Sequence, residues 1–391
     1  MKATLNTKTL ARLLSIVGKS VAMDLVKLEA SGGQFSAMCF NGTSGFSGTI
    51  QAVSLDMWSA HVSLSTLTAL IGTLETESVD LELTEKNLVI SACPARMEIR
   101  LSAEELPGIP AVSGETLVLT GKQFNTIAGV SAFTSTDMTR PILQSIHVRS
   151  GESSLLVDAA DGYALGRVQI PGKFAPLDVL LPGSYAKEAG KIIRADDQLE
   201  FTSSKSHAVI TLRRDGETFV FATSLIDGTF PDVEQIIPKT FKTEVTLANN
   251  NAILTFVRRA NALKMSSEKL AVLLHIRLAP EARLRVFCQV GAGHEITGTT
   301  VDEIPVNSGN GSEVKIKLDP HYIGLACEFL AAPATIKVVN QVGNTPVALT
   351  AADRLVVIMP LVSESESPDL YEDGIPVVIP AAVKTEVPVA A

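Results

Sequence analysis

The pattern that most narrows the possible folds is a repeat: three times, a strand ending in leucine runs into an amphipathic segment. The three passes are Leu5-Asn6-Thr7 into TLARLLSIV, Leu119-Thr120-Gly121 into KQFNTIAGV, and Leu247-Ala248-Asn249 into NAILTFV. In each, a polar residue stands just ahead of the apolar period, where a helix takes its N-cap. A second helix recurs later in each unit, as LSTLTALIGTLE from Leu64, GSYAKEAGKIIR from Gly183 and PHYIGLACEFLAA from Pro320. Two alternating runs follow it: SVDLELT and LVISA, then QLEFTSS and HAVITL, then ATIKVVN and PVALTA. Alternation of apolar and polar residues predicts half-buried antiparallel strands, and further strands precede each second helix. The expected class is α+β, with repeated units at residues 1–114, 115–241 and 242–362. Each unit packs two helices on one face of an antiparallel sheet. Residues 363–391 open SESESPDLYEDG and run on through Pro, Val and Ala without a period, which reads as a disordered acidic tail.

Composition agrees with several aliphatic cores. The 391 residues are enough for two to four domains, and 46% are hydrophobic while only 5% are aromatic. So few rings argue against an aromatic platform for single strands. The formal charge of −9 argues against a general nucleic-acid coat, although cations gathered on one surface can still act locally. Cys39, Cys93, Cys288 and Cys327 form no CxxC pair, so neither a zinc site nor a disulfide framework is expected. The opening MKATLNTKTLARLLSIVGKS lacks a continuous apolar core and a cleavage site, and no stretch reaches the roughly 18 apolar residues of a membrane helix. A soluble, cytoplasmic, nucleoid-associated protein without membrane contact is expected. Asn41-Gly42-Thr43 and Asn310-Gly311-Ser312 match a glycosylation pattern by chance.

The positive charge is arranged in stripes. On the first helix Leu10, Leu13, Leu14 and Val17 form the buried side, and Lys8, Arg12 and Lys19 fall opposite. Lys122 opens the corresponding helix of the second unit. Lys187, Lys191 and Arg194 recur at helical spacing against Tyr185, Ala189 and Ile193, and the third unit offers Arg258 and Arg259. Charged residues face water on any amphipathic helix; the sharper expectation is that these faces meet the phosphates of one DNA duplex, which gives affinity without sequence preference. The helix from Leu64 has no Lys or Arg and the one from Pro320 carries Glu328, so that surface is incomplete.

Three segments resemble a known family. Thr139-Arg140-Pro141-Ile142-Leu143, with Leu156-Val157-Asp158-Ala159-Ala160-Asp161-Gly162-Tyr163-Ala164-Leu165, is similar to the "TRP-L" strand and "ATDGHRLA" turn of bacterial DNA sliding clamps, the beta subunits of DNA polymerase III. Leu225 to Asp232 with Ile236-Ile237-Pro238-Lys239 resembles their "L-DG-FPDY--VIPK" signature, the most specific of the three. Val356-Val357-Ile358-Met359-Pro360-Leu361 resembles their terminal "Y-VMPMR".

The resemblance implies three clamp domains, a head-to-tail homodimer closed into a ring, and double-stranded DNA passing through it. A heterologous interface that closes makes a ring. Implied partners are the DNA polymerase III catalytic subunit, a clamp loader and other proteins bearing a clamp-binding motif. Their peptide pocket would be formed here by Arg140, Leu143, Ala160, Gly162, Tyr163, Ala164, Leu165, Pro231, Gln235, Ile236, Tyr322, Pro346, Val357, Met359, Pro360 and Leu361. Core packing is the plainer role for Leu143, Leu165, Ile236 and Val357, whereas Tyr322 and Met359 suit peptide binding better. Family members usually have His-Arg where this chain has Tyr163-Ala164, and often a cation at Gln235, which puts the pocket's polar contacts in question. Leu106, with Ala262 and Leu263 opposite it, is the implied ring contact. The family chain normally stops just after the Met-Pro motif; here Asp369-Leu370-Tyr371 in the added tail resembles the acidic–Leu–aromatic ending of a clamp-binding peptide.

No catalytic signature accompanies these features. There is no Walker A loop and no GxSxG elbow, and Gly291-Ala292-Gly293 lacks the third glycine of a dinucleotide turn. His61, His147, His207, His275, His294 and His321 show no metal spacing, so no metal, cofactor or catalytic residue is expected. The other reading is a peptide-binding scaffold with the clamp fold that does not encircle DNA.

Overall fold

A computed structural model describes residues 1–19, 23–53, 56–263, 270–278, 281–292, 295–339 and 345–361. The tail at 363–391 lies outside them. Three units follow one order. The first is β1 (Lys2–Asn6), α1 (Thr7–Val17), β2 (Val26–Ser31), β3 (Gln34–Phe40), β4 (Ser44–Gln51), β5 (Trp58–Val62), α2 (Leu64–Gly72), β6 (Ser78–Leu83), β7 (Asn87–Ala92) and β8 (Ala95–Arg100). The second is β9 (Thr116–Thr120), α3 (Gly121–Gly129), β10 (Ser145–Ser150), β11 (Ser154–Ala160), β12 (Ala164–Pro171), β13 (Asp178–Pro182), α4 (Gly183–Gly190), β14 (Gln198–Ser203), β15 (His207–Arg214) and β16 (Glu217–Ser224). The third is β17 (Thr243–Leu247), α5 (Asn251–Ala262), β18 (Val272–Arg277), β19 (Arg283–Ala292), β20 (Glu295–Ile304), an additional β21 (Val306–Asn310), β22 (Val314–Leu318), α6 (Pro320–Leu330), β23 (Thr335–Val338), β24 (Val347–Ala351) and β25 (Arg354–Ile358).

The helix starts show how local sequence sets these elements. Asn6 accepts a hydrogen bond from the Thr9 N–H, and Thr120 forms a reciprocal capping box with Gln123. In the third unit the residues at this position are used differently. Asn249 accepts from the Ala252 N–H, while Asn250 donates to the carbonyls of Cys327 and Ala332 and accepts from the Ala334 N–H. Asn250 thus ties the start of α5 to the end of α6.

The first two units each contribute two four-stranded antiparallel sheets, the third contributes one of four strands and one extended to five by β21, and neighbouring units fuse them edge to edge. β4 pairs with β16, giving the order β5-β2-β3-β4-β16-β15-β14-β9. β12 pairs with β25 in the same way, giving β13-β10-β11-β12-β25-β24-β23-β17-β21. The two remaining sheets, β1-β6-β7-β8 and β20-β19-β18-β22, end on β8 and on β20. These occupy the positions in the repeat that make the internal joints.

A glycine on the fourth strand of every unit lets the helical layer come close. A Cβ on Gly48 would strike Leu13 and Phe219, one on Gly166 would strike Phe133, and one on Gly298 would press on Leu263. Each of these neighbours except Phe219 comes from the first helix of the unit or the turn after it. Close helix–sheet packing buries the aliphatic core, which runs through all three units.

Candidate functional site: a groove at the second joint

The joint between β12 and β25 is organised by the turn that enters β12. Asp161 Oδ1 accepts from the N–H groups of Tyr163 and Ala164, and Gly162 takes φ +98° between them. That φ is open to glycine and strained for a side chain. The other carboxylate oxygen accepts from the Tyr322 hydroxyl at 2.6 Å, so one aspartate fixes the turn and reaches α6. Burial and this bond to a carboxylate push the Tyr322 phenol well up, so it stays a neutral donor. Tyr163 stacks on Tyr322 with ring centroids 6.3 Å apart and remains 63% exposed. The Tyr163 carbonyl accepts from the Met359 N–H at 2.8 Å, and the Leu361 N–H donates to the Lys317 carbonyl at 2.8 Å.

Below this rim lies a small apolar cluster separate from the main core: Ala160, Leu165, Leu180, Phe230, Val233 and Val357, with Ile142, Ile226, Ile237 and Leu355 partly buried against it. Leu165 faces Val357 across the strand pair. Above it Ile236 and Met359 are each 41% exposed. Buried floor and exposed apolar rim together make a site for an apolar anchor.

The wall carrying Val233 and Ile236 is held by ions. Asp158 is fully buried on β11 and receives Arg167 through two bonds, Nε–Oδ1 2.6 Å and Nη2–Oδ2 3.0 Å. Burial opposes the charge on Arg167, but its bonds to Asp158 and Glu234 outweigh this and raise its basicity. Arg167 Nη1 also meets Glu234 at 2.7 Å, and Arg149 approaches Asp158 and Glu234 at 3.7 and 3.4 Å. Glu234 lies in the 3-10 turn Val233–Gln235, so this network pins the turn to the sheet.

Of the expected pocket residues, Ala160, Leu165 and Val357 share the apolar cluster, and Gly162, Tyr163, Ala164, Tyr322 and Met359 meet at the turn above it. Ala160, Ala164, Leu165 and Val357 are buried; Leu143, Tyr322, Pro346, Pro360 and Leu361 are half-buried; Arg140, Gly162, Tyr163, Pro231, Gln235, Ile236 and Met359 are exposed. Gln235 is turned toward its own loop, donating to Asp232 Oδ2 at 3.0 Å. Beside the apolar groove a polar cavity of about 780 Å³ opens between α4 and α6, lined among others by Arg140, Asp137, Tyr163, Lys187, His321 and Tyr322. The sequence reading missed Asp158, Arg167 and Glu234. Asp158 carried a signal, as the one charge in the otherwise apolar SLLVDAA strand, with Arg167 facing it in the register.

The expected cationic surface is more mixed. Lys8, Lys19, Lys122, Lys187, Lys191, Arg194 and Arg258 are exposed. Arg12 is half-buried in an ion pair with Glu217 of β16, and Arg259 pairs with Asp302 of β20 at 2.7 Å. Lys191 pairs with Glu188 at 2.6 Å. Two helical stripes are shorter than their spacing suggested: α1 ends at Val17, before Lys19, and α4 at Gly190, before Lys191 and Arg194. Arg194 sits in the following turn, its N–H donating to Asp197. Among the expected ring residues, Leu263 packs over Gly298 of β20 and Ala262 is exposed beside it. Leu106 is 8% exposed, its N–H points at His61 Nε2, and Pro107 next to it approaches Gly42. It lies outside β8, the strand at the sheet's end. Among the described residues no group of His, Cys, Asp and Glu could hold a metal, and no helix is long and apolar enough to cross a membrane.

Comparison with known proteins explains the arrangement. Residues 119–232 match the model of the DNA polymerase III beta subunit, central domain. The chain is 26% identical over 229 residues to a beta sliding clamp of Bacillus subtilis, a match covering 57% of this chain and 58% of that protein. It is 25% identical over 331 residues to one of Streptococcus pneumoniae, covering 82% and 84%. The crystal structure of the DNA polymerase sliding clamp from Bacillus subtilis superposes with a TM-score of 0.83 at 20% identity, over 93% of this chain and 99% of that one. By sequence the chain is similar to the bacterial DNA polymerase III beta subunits, its residues 119–232 matching their central-domain model, and the structure carries the sliding-clamp fold.

Proposed function

We propose that the protein is a DNA sliding clamp. Its three repeats, residues 1–114, 115–241 and 242–362, act as clamp domains, and two copies close head to tail around duplex DNA in the cytoplasm. The carrying observation is the pair of strands left at the sheet ends. β4 with β16 and β12 with β25 join successive repeats, and β20 of one copy with β8 of another is the same joint made between chains. β8 carries Arg96 and Arg100 with Glu98 between them, and β20 carries Asp302 and Glu303, which meet Arg259 and Arg283 within the chain. A ring cannot leave duplex DNA sideways, so its cationic helix surfaces need only weak phosphate contacts.

The groove at the second joint takes short apolar peptides from partners: the polymerase catalytic subunit, a clamp loader and other motif-bearing proteins. Tethering by the groove raises a partner's effective concentration at the template without further contacts. The protein supplies no catalytic residue of its own in this reading. A scaffold that does not encircle DNA keeps the groove but leaves the end strands β8 and β20 without a use. The test is loading onto nicked circular DNA with a matching loader, followed by linearisation at constant salt. Retention on the circle with loss from the linear form is expected. Equal retention on both would overturn the clamp reading.

A further inference from the structure

The groove and the polar cavity lie where the described chain ends, and the sequence beyond that point has the chemistry of both. Met359 sits on the groove rim, tied to Tyr163, and Leu361 is tied to Lys317 shortly before α6, whose His321 and Tyr322 line the cavity. The chain therefore departs from inside the site. Residues 363–369 are Ser-Glu-Ser-Glu-Ser-Pro-Asp, and the next large apolar side chains are Leu370 and Tyr371. The groove presents Tyr163, Ile236 and Met359 as exposed apolar surface, and the cavity presents Arg140 and Lys187. Asp161 is already engaged by Tyr322 and two backbone N–H groups, and Asp137 by Thr139. Arg140 meets Asp137 at 3.6 Å, and Lys187 has no ion pair among the described residues, so Lys187 is the cation left to meet an acidic ligand.

We infer that residues 363–371 fold back into the chain's own groove, with Leu370 and Tyr371 on the apolar rim and the acidic run along Lys187. This rests on the groove being the peptide site. Eight residues separate Leu361 from Leu370. At about 3.5 Å each they reach up to ~30 Å, enough to turn back over the rim. A tether this short sets an effective concentration on the order of 1 mM. A tail binding with an intrinsic Kd of ~0.1 mM then fills the groove about nine-tenths of the time and weakens a competing peptide ~10-fold. The tail acts as a threshold: strong or multivalent partners displace it, and weak ones do not.

The test measures anisotropy of a labelled leucine–phenylalanine peptide on three proteins: the full chain, the chain cut after Val362, and the full chain with Leu370→Ala and Tyr371→Ala. Neither change touches the described fold. Peptide affinity ~10-fold higher for the two altered proteins than for the full chain, at every protein concentration, is the expected result. Equal affinity for all three overturns the inference while leaving the groove intact as a peptide site. A difference that grows with protein concentration overturns docking within one chain in favour of docking on another copy. Binding to none of the three overturns the groove reading itself, and this inference with it.

Discussion

The joint between the first and second repeats and the joint between the second and third share one backbone but end in different surfaces. At the first, Asn41 Oδ1 accepts from the N–H groups of Thr43 and Ser44, Gly42 takes φ +90°, and the Ser224 N–H donates to the Thr43 carbonyl. At the second, Asp161, Gly162, Tyr163 and Met359 repeat every one of those contacts. The side chains differ: Thr43 and Ser224 are small and polar where Tyr163 and Met359 are large and apolar. The first joint directs its aromatic rings inward, with Phe46 packed against Phe221 at 4.8 Å and Tyr185 at 6.1 Å, and the Tyr185 hydroxyl bonded to the Phe221 carbonyl. The second stacks Tyr163 and Tyr322 at the surface. An exposed apolar groove can therefore arise from a structural joint by changing a few side chains, with the strand pairing left alone.

Several substitutions would break or sharpen that contrast. Phe46→Ala empties the sealed joint and is expected to cost ~3–5 kcal/mol in urea unfolding; Tyr163→Ala, on the exposed rim, stays within ~0.5 kcal/mol. Similar costs at the two positions would mean that the joints are not packed differently. Arg167→Met strands the buried Asp158 carboxylate and releases Glu234, at a cost of ~3 kcal/mol by the same measurement, and peptide binding falls with it. If binding survives, the ion network is not what places the groove wall. Giving the second joint the side chains of the first, Tyr163→Thr with Met359→Ser, is expected to weaken peptide binding at least ~10-fold, or ~1.4 kcal/mol by calorimetry, with the melting temperature nearly unchanged. Unaltered affinity would place the site elsewhere. Tyr322→Phe removes one hydrogen bond to Asp161 for about 1 kcal/mol. No measurable loss there would leave the Asp161 turn standing on its backbone bonds alone.

Much of the fold was legible because its signals are local. The caps at Asn6 and Thr120, the helix periods and the alternating strands all lie within a few residues of one another. The joints were not legible in the same way, since pairing Gly45 with Ala222, or Leu165 with Val357, is fixed by packing between distant segments. The same limit explains the cations. Arg12 and Arg259 look like solvent-facing charges on a helical wheel, and only the tertiary fold brings Glu217 and Asp302 to them. Arg194 kept a helical spacing past the point where α4 stops, and Leu106 was placed by likeness in a stretch with little local pattern. For the groove, the motif at 161–165 and the apolar run at 356–361 are readable as segments of sequence, and the structure brings them together at the joint, while the Arg149–Asp158–Arg167–Glu234 support needed the register to be seen.

The linkers at 101–115 and 225–242 cross the two internal joints, so each strand pairing there is backed by a covalent connection. A β20–β8 joint between copies has no such backing. Dilution can dissolve it, and a pulling force meets only a ladder of backbone bonds and the side chains beside it. In a closed pair of chains the six joints would be alike in shape but unequal in strength. Any opening would begin at the two that join separate chains, and the grooves, held within single chains, would keep their form while the ring parts.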